Sequence, residues 1–301
     1  MTAAYPKSGP VTLRTNLSDV PAFRALKTGD ISSDLVKFDF CGPKAAHEAF
    51  KPMVRDNAYD AGELAVVTFL QARAYAKPWV MLPAVVVGRF QHNCIGYNAA
   101  RGALAPGDLA GKRVGVRSYS QTTGVWVRGV LQHDHGVDLG RITSVCTDDP
   151  HLAEYRDPPT VERVTPGGKS LDQMLLDGEI DALIAAQLPK DPKVRPLIAD
   201  PEAAAKAWYQ KHRTVQINHI FAVSRALAEA RPDVVKEIYR LLAAAKRAAP
   251  APADGIDMTP LGAAAVRPGL ALIAQYALEQ KIVPRKVEVD ALLEETAAAL
   301  R

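Results

Sequence analysis

Short apolar runs alternate with helical segments along this chain, and that alternation restricts the possible folds more than any other feature. A strand is predicted over Val11–Thr15, and in Leu35–Phe40 apolar and polar residues alternate as they do in a half-buried strand. Val80–Gly88 is almost continuously apolar, which is typical of a strand buried on both faces. Strands separated by helices predict βαβ units and therefore an α/β fold with a mostly parallel sheet.

These signals form two successive sets, which predicts two lobes. Extended segments near residues 88–95 and 214–220 connect the sets, and the last strand, Ile217–Ser224, returns the chain to the first one. We therefore expect a discontinuous lobe 1 and a continuous lobe 2, with a ligand cleft between lobes. The predicted lobes comprise residues 1–91 and 217–301 for lobe 1, and residues 92–216 for lobe 2.

Three Ala-rich helices are predicted after residue 225. They cover Pro232–Ala249, the region near Leu261–Gln280, and Val287–Leu300. Their apolar residues either close the core or cover a subunit interface. We favour the core, and the sequence leaves a homo-oligomer open.

Charge and composition argue against several classes of function. The 37 basic and 33 acidic residues are spread along the chain without a basic block, whereas nucleic-acid-binding proteins concentrate Lys and Arg on one face. No stretch approaches the roughly 18 apolar residues of a transmembrane helix, and no basic segment followed by an apolar one opens the chain. We expect a cytoplasmic protein with neither nucleic acid nor membrane as a partner. Three widely spaced cysteines are interpreted as small buried residues: Cys41, Cys94 and Cys146.

The clearest candidate binding site is the segment that joins a strand to the helix Trp126–His133. The strand ends at Arg117, and a turn rich in hydroxyl groups follows it. Helix-start N–H groups carry partial positive charge and, together with hydroxyl groups and an arginine, can hold a carboxylate. The alternative is that Ser120 or Thr122 only caps the helix. The predicted anion site consists of Arg117, Ser118, Thr122 and Thr123.

Two further candidates lie at strand ends in lobe 1, where open parallel sheets bind their ligands. Arg14 is near the end of the first strand, and Glu63 is near the end of the third. An arginine and a carboxylate would suit an oxygenated, anionic ligand. For Glu63 the alternative is a carboxylate favoured by the dipole of the following helix.

His92 and His219 fall on the two predicted crossovers. Because histidine titrates near neutral pH, each is a candidate proton carrier, and a structural histidine is the alternative for each. No HExxH or comparable ligand cluster occurs in the sequence, so no metal centre is predicted. A site made of His92, Glu63 and His219 stays open as an alternative.

Six segments of the sequence, residues 53–56, 59–64, 111–129, 151–156, 169–175 and 217–219, carry a resemblance to a known family. Together they resemble the 4,5-dihydroxyphthalate decarboxylase family. The resemblance runs in order from about residue 50 to about residue 245 and is strongest over residues 111–129. That family is similar in fold to type II periplasmic binding proteins, which implies a two-lobed Venus-flytrap architecture with two crossover strands.

The family's reaction is decarboxylation of a hydroxylated phthalate, which gives protocatechuate and CO₂ in the best-known case. The resemblance therefore implies an aromatic carboxy-lyase whose ligand is a small aromatic dicarboxylate. A hydroxyl group para to the departing carboxylate can push electron density into the ring, so no organic cofactor is predicted, and a divalent metal stays open. We expect Arg117, Ser118, Thr122 and Thr123 to hold the retained carboxylate, His92 to supply a proton, and Glu63 or His219 to receive the phenolic proton.

Two other functions are compatible with the same sequence. A non-catalytic solute-binding protein for an aromatic acid would use the same fold, since fold does not determine function. The expected lack of an export signal favours the enzyme over such a receptor. An enzyme resembling those of the menaquinone pathway would share the anionic aromatic ligand but not the match over residues 111–129.

Overall fold

A computed structural model of the chain describes residues 5–164 and 167–301, which form two compact units. Unit 1 comprises the residues up to Arg89 together with Ile217–Ala274 and Val283–Arg301, and unit 2 comprises Phe90–Gln216 and Gln275–Ile282. Residues 1–4, which belong to the segment predicted to contain no export signal, lie outside the described residues.

Strands and helices alternate along the described residues, as the sequence predicts. The strands are β1 (Val11–Asn16), β2 (Val36–Asp39), β3 (Ala61–Ala65), β4 (Trp79–Gly88), β5 (Ile95–Asn98), β6 (Arg113–Val116), β7 (Thr143–Cys146), β8 (Val161–Arg163), β9 (Ala182–Ile184), β10 (Val194–Pro196) and β11 (Ile217–Ser224). The helices are α1 (Arg24–Thr28), α2 (Phe50–Asp56), α3 (Val66–Ala74), α4 (Thr122–His135), α5 (Leu171–Asp177), α6 (Pro201–His212), α7 (Arg225–Ala230), α8 (Pro232–Ala248), α9 (Ala263–Glu279) and α10 (Val289–Ala299).

Unit 1 is built on a mixed sheet in the order β2–β1–β3–β11–β4. β1 runs parallel to β2 and β3, whereas β11 runs antiparallel to both of its neighbours. Ile217, the first residue of β11, pairs with Gly88, the last residue of β4. The chain therefore leaves unit 1 and re-enters it at adjacent positions, close to the two predicted crossovers.

The core of unit 1 lies between this sheet and α8. The helix places apolar residues at intervals of three and four, which aligns them on one face. Val234, Ile238 and Leu241 on that face are fully buried against Leu13 and other strand residues. Burying a side chain of this size contributes about 1.5–3 kcal/mol, so this face anchors α8 to the sheet.

Unit 2 contains a second mixed sheet, in the order β10–β5–β9–β6–β7–β8. The run from β9 to β8 is parallel, while β5 is antiparallel to both β9 and β10. The prediction of a mostly parallel sheet therefore holds for unit 2, where three of the five strand pairings are parallel. It is wrong for unit 1, where β11 runs against both of its neighbours and only two of the four pairings are parallel.

Some elements escaped prediction because their sequence signals are weak. β8 and β10 are only three residues long and largely accessible, and Trp208 is the buried residue of α6. Cys94 and Cys146 are buried as predicted, but Cys41 is exposed, because it follows an edge strand. Within residues 5–164 and 167–301, no helix has the length and apolar character needed to cross a bilayer.

The segment Gln275–Ile282 packs in unit 2, although the predicted boundaries place it in lobe 1 with the rest of residues 217–301. Its Tyr276 ring lies 5.7 Å from the Trp126 ring and is buried. Gln280 donates a hydrogen bond from Nε2 to the carbonyl oxygen of Val125, at 2.9 Å. These contacts with α4 explain why the segment belongs to unit 2.

We predict that Gly129→Ala destabilises the protein because α4 and Tyr276 are in close contact. A Cβ atom at position 129 would lie 2.1 Å from Tyr276 Cδ2, so the buried ring would have to move. Overpacking costs about 1–3 kcal/mol and alanine favours a helix by about 1 kcal/mol, so we expect a net loss of up to about 2 kcal/mol. Urea unfolding measures it. Gly107→Ala is the control, since no atom lies within 4 Å of its Cβ position, and equal stability of the two variants would contradict the prediction.

Candidate functional site

Glu63 lies on β3 at the carboxyl edge of the parallel strands of unit 1. The backbone there is fixed by the pairing of Gly62 with Asn16 on β1. Gly62 has φ +148°, and a Cβ atom would lie 2.3 Å from the Asn16 carbonyl oxygen, so the position requires glycine. Asn16 Nδ2 also donates a hydrogen bond to the Glu63 carbonyl oxygen. The orientation of Glu63 thus follows from the close approach of β1 and β3.

The carboxylate of Glu63 has hydrogen-bond donors on both oxygens. Ser18 donates from its backbone N–H and its hydroxyl group to Oε2, at 2.7 Å and 2.5 Å, and His219 Nδ1 lies 2.5 Å from Oε1. Burial alone would raise the pKa of Glu63, but the hydrogen bonds from His219 and Ser18 outweigh it and lower the pKa below its ordinary value. Glu63 is therefore an ionised, fully buried carboxylate.

His219 is placed beside Glu63 by the pairing of β11 with β3, in which it is opposite Ala65. Register shifts against β4 flank it on both sides, and such irregularities re-aim side chains. Because Glu63 is ionised, Nδ1 of His219 carries a proton and donates it to Oε1, which leaves Nε2 for other partners. The His219 side chain is 22% exposed and that of Glu63 1%, so the histidine is the member that can reach a ligand.

The structure thus brings together two of the predicted residues of lobe 1. The alternative for Glu63, a carboxylate at the start of a helix, is wrong, because α3 begins at Val66 and has no acidic residue in its first turn. Arg14 is not brought to this pair. Its guanidinium lies 5.9 Å from the centre of the Tyr59 ring, and its role in binding stays a prediction.

In unit 2, the predicted anion turn joins β6 to α4. Arg117 follows the last strand residue, and Gln121 is the N-cap of α4 but makes no side-chain capping hydrogen bond. The alternative in which Ser120 or Thr122 caps the helix is therefore wrong. Thr122 and Thr123 are buried in the first turn. The hydroxyl group of Ser118 is buried and, among the described residues, has no hydrogen-bond partner.

Arg117 is the accessible cation of this turn, and it already has an acidic neighbour. Its Nε lies 3.4 Å from Asp148 Oδ2, and both side chains are more than a third exposed. An exposed pair of this kind contributes at most about 1 kcal/mol, so a bound carboxylate can compete with Asp148. The turn consequently retains the properties of an anion site, with Asp148 as a competitor that sequence reasoning missed.

Arg128 is a second cation of this region that sequence reasoning did not assign to the site. It lies one turn into α4, is buried, and its Nη2 donates to the carbonyl oxygen of Tyr119 at 2.5 Å. Two sequence signals point to it: its place in a helix, four residues after Gly124, and its position within residues 111–129, where the family resemblance is strongest.

His92 lies in an aromatic cluster of unit 2 and not in a polar site. Its ring centre is 6.4 Å from those of Phe90 and Trp208, and Nδ1 is buried without a hydrogen-bond partner among the residues that the structure describes. Burial lowers the pKa of His92 to about 4, so the ring is neutral at pH 7. A neutral ring has no readily transferred proton, which argues against His92 as the proton donor.

No group of three or more His, Cys, Asp or Glu side chains suited to a metal ion occurs within the described residues. Glu63 and His219 belong to unit 1, whereas His92 belongs to unit 2. The predicted ligand cleft itself stays a prediction.

Comparison with known proteins gives two curated relatives, and no protein-family model matches the chain. One is a 4,5-dihydroxyphthalate decarboxylase from Comamonas testosteroni, 31% identical over 227 residues, which cover 69% of this chain and 67% of the relative. The other is a 4,5-dihydroxyphthalate decarboxylase from Pseudomonas putida, 31% identical over 181 residues, which cover 54% of this chain and 68% of the relative.

Two solved structures show the fold. The alkanesulfonate-binding protein SsuA from Xanthomonas axonopodis pv. citri, bound to MOPS, matches with a TM-score of 0.62 at 18% identity, covering 95% of this chain and 98% of that one. The CA3427 gene product of Candida albicans, which has the generic periplasmic binding protein fold, matches with a TM-score of 0.54 at 12% identity, covering 97% and 96%. The predicted periplasmic-binding-protein-like α/β fold is thus confirmed.

We predict that His92 makes the protein less stable in acid. Its pKa is about 4 in the folded chain and 6.5 in the unfolded one, so the unfolded state binds more protons between these values. The free energy of unfolding should therefore fall as pH decreases from 6.5 to 4, with about 3 kcal/mol of the loss due to His92. Urea unfolding of wild type and His92→Phe at pH 7 and pH 4 measures this share. Equal losses in the two proteins would show that His92 is not buried in its neutral form.

Proposed function

The chain belongs to the 4,5-dihydroxyphthalate decarboxylase family, and from that premise we propose that it removes one carboxylate of a hydroxylated aromatic dicarboxylate as CO₂. The substrate that this membership favours is 4,5-dihydroxyphthalate, with protocatechuate as the product. The observation that carries the proposal is the Glu63–His219 pair. In this pair a buried carboxylate holds a histidine that can transfer a proton.

We assign proton transfer to His219. The imidazole ring, held at Nδ1 by the carboxylate of Glu63, donates a proton to the carbon of the substrate ring that bears the departing carboxylate. The bond between that carbon and the carboxylate then breaks, its electron pair returns to the aromatic ring, and CO₂ leaves. A proton from water restores His219, so each turnover consumes one proton.

Glu63 acts through His219 in this proposal. Its two oxygens already accept three hydrogen bonds and its side chain is fully buried, so it is a positioning residue rather than the acceptor of a phenolic proton. The role of proton donor moves from His92 to His219 because the His92 ring is neutral at pH 7.

The turn of unit 2 would hold the carboxylate that remains on the product. Arg117 offers a guanidinium, the start of α4 offers backbone N–H groups and a positive dipole end, and Ser118 offers a hydroxyl group. These groups bind a carboxylate in substrate and product alike. We assign affinity for the carboxylate to these groups and proton transfer to His219.

A second candidate function is non-catalytic binding of an aromatic acid. The observation that favours it is the anion turn on a fold shared with the alkanesulfonate-binding protein SsuA. Such a receptor would need the turn of unit 2 but would have no use for a proton carrier.

We expect purified, EDTA-treated protein to convert 4,5-dihydroxyphthalate to protocatechuate and CO₂ in equal amounts. Chromatography measures the organic product, and trapping of CO₂ measures the gas. Turnover that occurs only after a divalent cation is added back would support the decarboxylase activity. It would contradict the prediction that the activity needs no metal. Binding of the substrate without product, with and without cations, would favour the receptor.

We expect His219→Asn to lower kcat by about 10²–10⁴-fold, the usual contribution of a general acid, while KM changes much less. Glu63→Gln should lower kcat less, because the histidine remains but loses the carboxylate that holds its Nδ1. Steady-state kinetics with 4,5-dihydroxyphthalate measure both effects. His135→Asn, at the exposed end of α4, is the matched control and should behave as wild type.

Thermal unfolding of each variant separates loss of chemistry from loss of the fold. A folded His219→Asn protein with wild-type kcat would remove His219 from the mechanism.

A further inference from the structure

Arg128 is a buried cation whose charge the described residues leave unbalanced. Its side chain has three contacts: Nε donates to Gln280 Oε1 at 2.9 Å, Nη2 donates to the Tyr119 carbonyl oxygen, and the guanidinium lies 4.0 Å from the centre of the Tyr119 ring. All three partners are neutral groups. Nη1 is buried and has no hydrogen-bond partner. Within the described part of the chain, no carboxylate lies at ion-pair distance from this guanidinium.

This arrangement is unfavourable for stability alone. A guanidinium stays charged in proteins, and burying an unpaired charge costs several kcal/mol. Buried charges in proteins normally have partners that offset this cost, as the hydrogen bonds from His219 and Ser18 do for Glu63 in unit 1. An anion that binds near Arg128 would supply the missing partner.

The guanidinium lies against the first turn of α4. A Cβ atom on Gly124 would be 3.0 Å from Nη1, so this nitrogen approaches the helix backbone where residue 124 has no side chain. Tyr119, whose carbonyl oxygen accepts from Nη2, lies within the turn between Arg117 and α4. Arg128 thus holds the anion turn through the Tyr119 carbonyl oxygen and adds a buried positive charge next to it.

We propose that Arg128 is a positioning residue that gives the turn of residues 117–123 its selectivity for a carboxylate over an uncharged group of the same shape. It holds the Tyr119 carbonyl oxygen so that the turn keeps its form, and its charge favours an anion there through the low-dielectric interior. The inference rests on the proposed function only in that the ligand is a carboxylate bound at this turn.

Calorimetric binding of phthalate and of its uncharged diamide, phthalamide, tests this role without any turnover. Wild type should bind phthalate more tightly than phthalamide. Arg128→Met should weaken phthalate binding roughly tenfold or more, a loss of about 1.4 kcal/mol per factor of ten, and should leave phthalamide binding nearly unchanged. Arg128→Lys should retain part of the selectivity, because it keeps the charge but not the fixed hydrogen bonds.

A second variant changes the charge around Arg128 and leaves the arginine in place. Gln280→Glu puts a carboxylate where the Nε partner is, at the loss of the hydrogen bond from Gln280 to the Val125 carbonyl oxygen. The guanidinium gains an internal counter-charge, and we expect phthalate affinity to fall roughly tenfold while phthalamide affinity changes much less. Gln275→Glu is the matched control, since it makes the same change at an exposed position of α9 and should bind phthalate as wild type does.

The outcomes separate this inference from the proposed function. Turnover of 4,5-dihydroxyphthalate with unchanged phthalate selectivity in Arg128→Met and Gln280→Glu would overturn the inference and leave the decarboxylase intact. Loss of selectivity in a protein that binds the substrate without turnover would support the inference and overturn the decarboxylase. Equal weakening of phthalate and phthalamide in Arg128→Met would show a merely structural role, and a wild type that does not bind phthalate would also overturn the inference.

Discussion

Antiparallel pairing of β11 with β3 on one side and β4 on the other is the interaction on which unit 1 depends. It inserts a returning strand between two strands from the first part of the chain, so the sheet is complete only after residue 217. The same pairing brings His219 to Glu63, which is 156 residues away in sequence. In unit 2, Gln91 donates its backbone N–H to Gln216 Oε1 at 2.6 Å, which joins the two segments next to the passages. The candidate chemistry of unit 1 is therefore a consequence of topology.

The buried charges of the two units, Glu63 in unit 1 and Arg128 in unit 2, have opposite environments. In unit 1 the carboxylate of Glu63 has its charge balanced by donors on both oxygens, and hydrogen bonds overcome the cost of burial. In unit 2 the guanidinium of Arg128 has only neutral partners among the described residues. A self-contained pair holds its geometry without a ligand, whereas an unbalanced cation gains most when an anion arrives. The first arrangement suits a group that must be held for proton transfer, and the second suits a group that contributes to binding.

The sequence predicts most of the framework, because apolar periodicity reports which residues are buried. It predicts β1, β4, β11 and the turn before α4, and it marks Glu63 and His219 individually. It does not predict β8 and β10, whose three residues are too few to show a period, nor the place of Gln275–Ile282, which depends on the contact between Tyr276 and Trp126. The sequence also does not predict the environment of His92. Burial in an aromatic cluster that includes Phe90 and Trp208 lowers the pKa of His92, and those two residues are 118 positions apart in sequence. Side-chain chemistry depends on such distant neighbours, and one sequence does not reveal them.

The same reasoning separates the enzyme from the receptor. A fold shared with sulfonate-binding proteins and an anion turn in unit 2 are expected of both, so neither feature decides between them. The Glu63–His219 pair is different, because removing a carboxylate from water is costly and the binding of an aromatic acid gains nothing from a second carboxylate nearby. Like charges repel, so a receptor for a dicarboxylate would be better served by an apolar or cationic residue at position 63. A buried carboxylate that holds one nitrogen of a partly exposed histidine makes physical sense where the other nitrogen has a proton to transfer, and the decarboxylation of a dicarboxylate requires one proton for every CO₂ released.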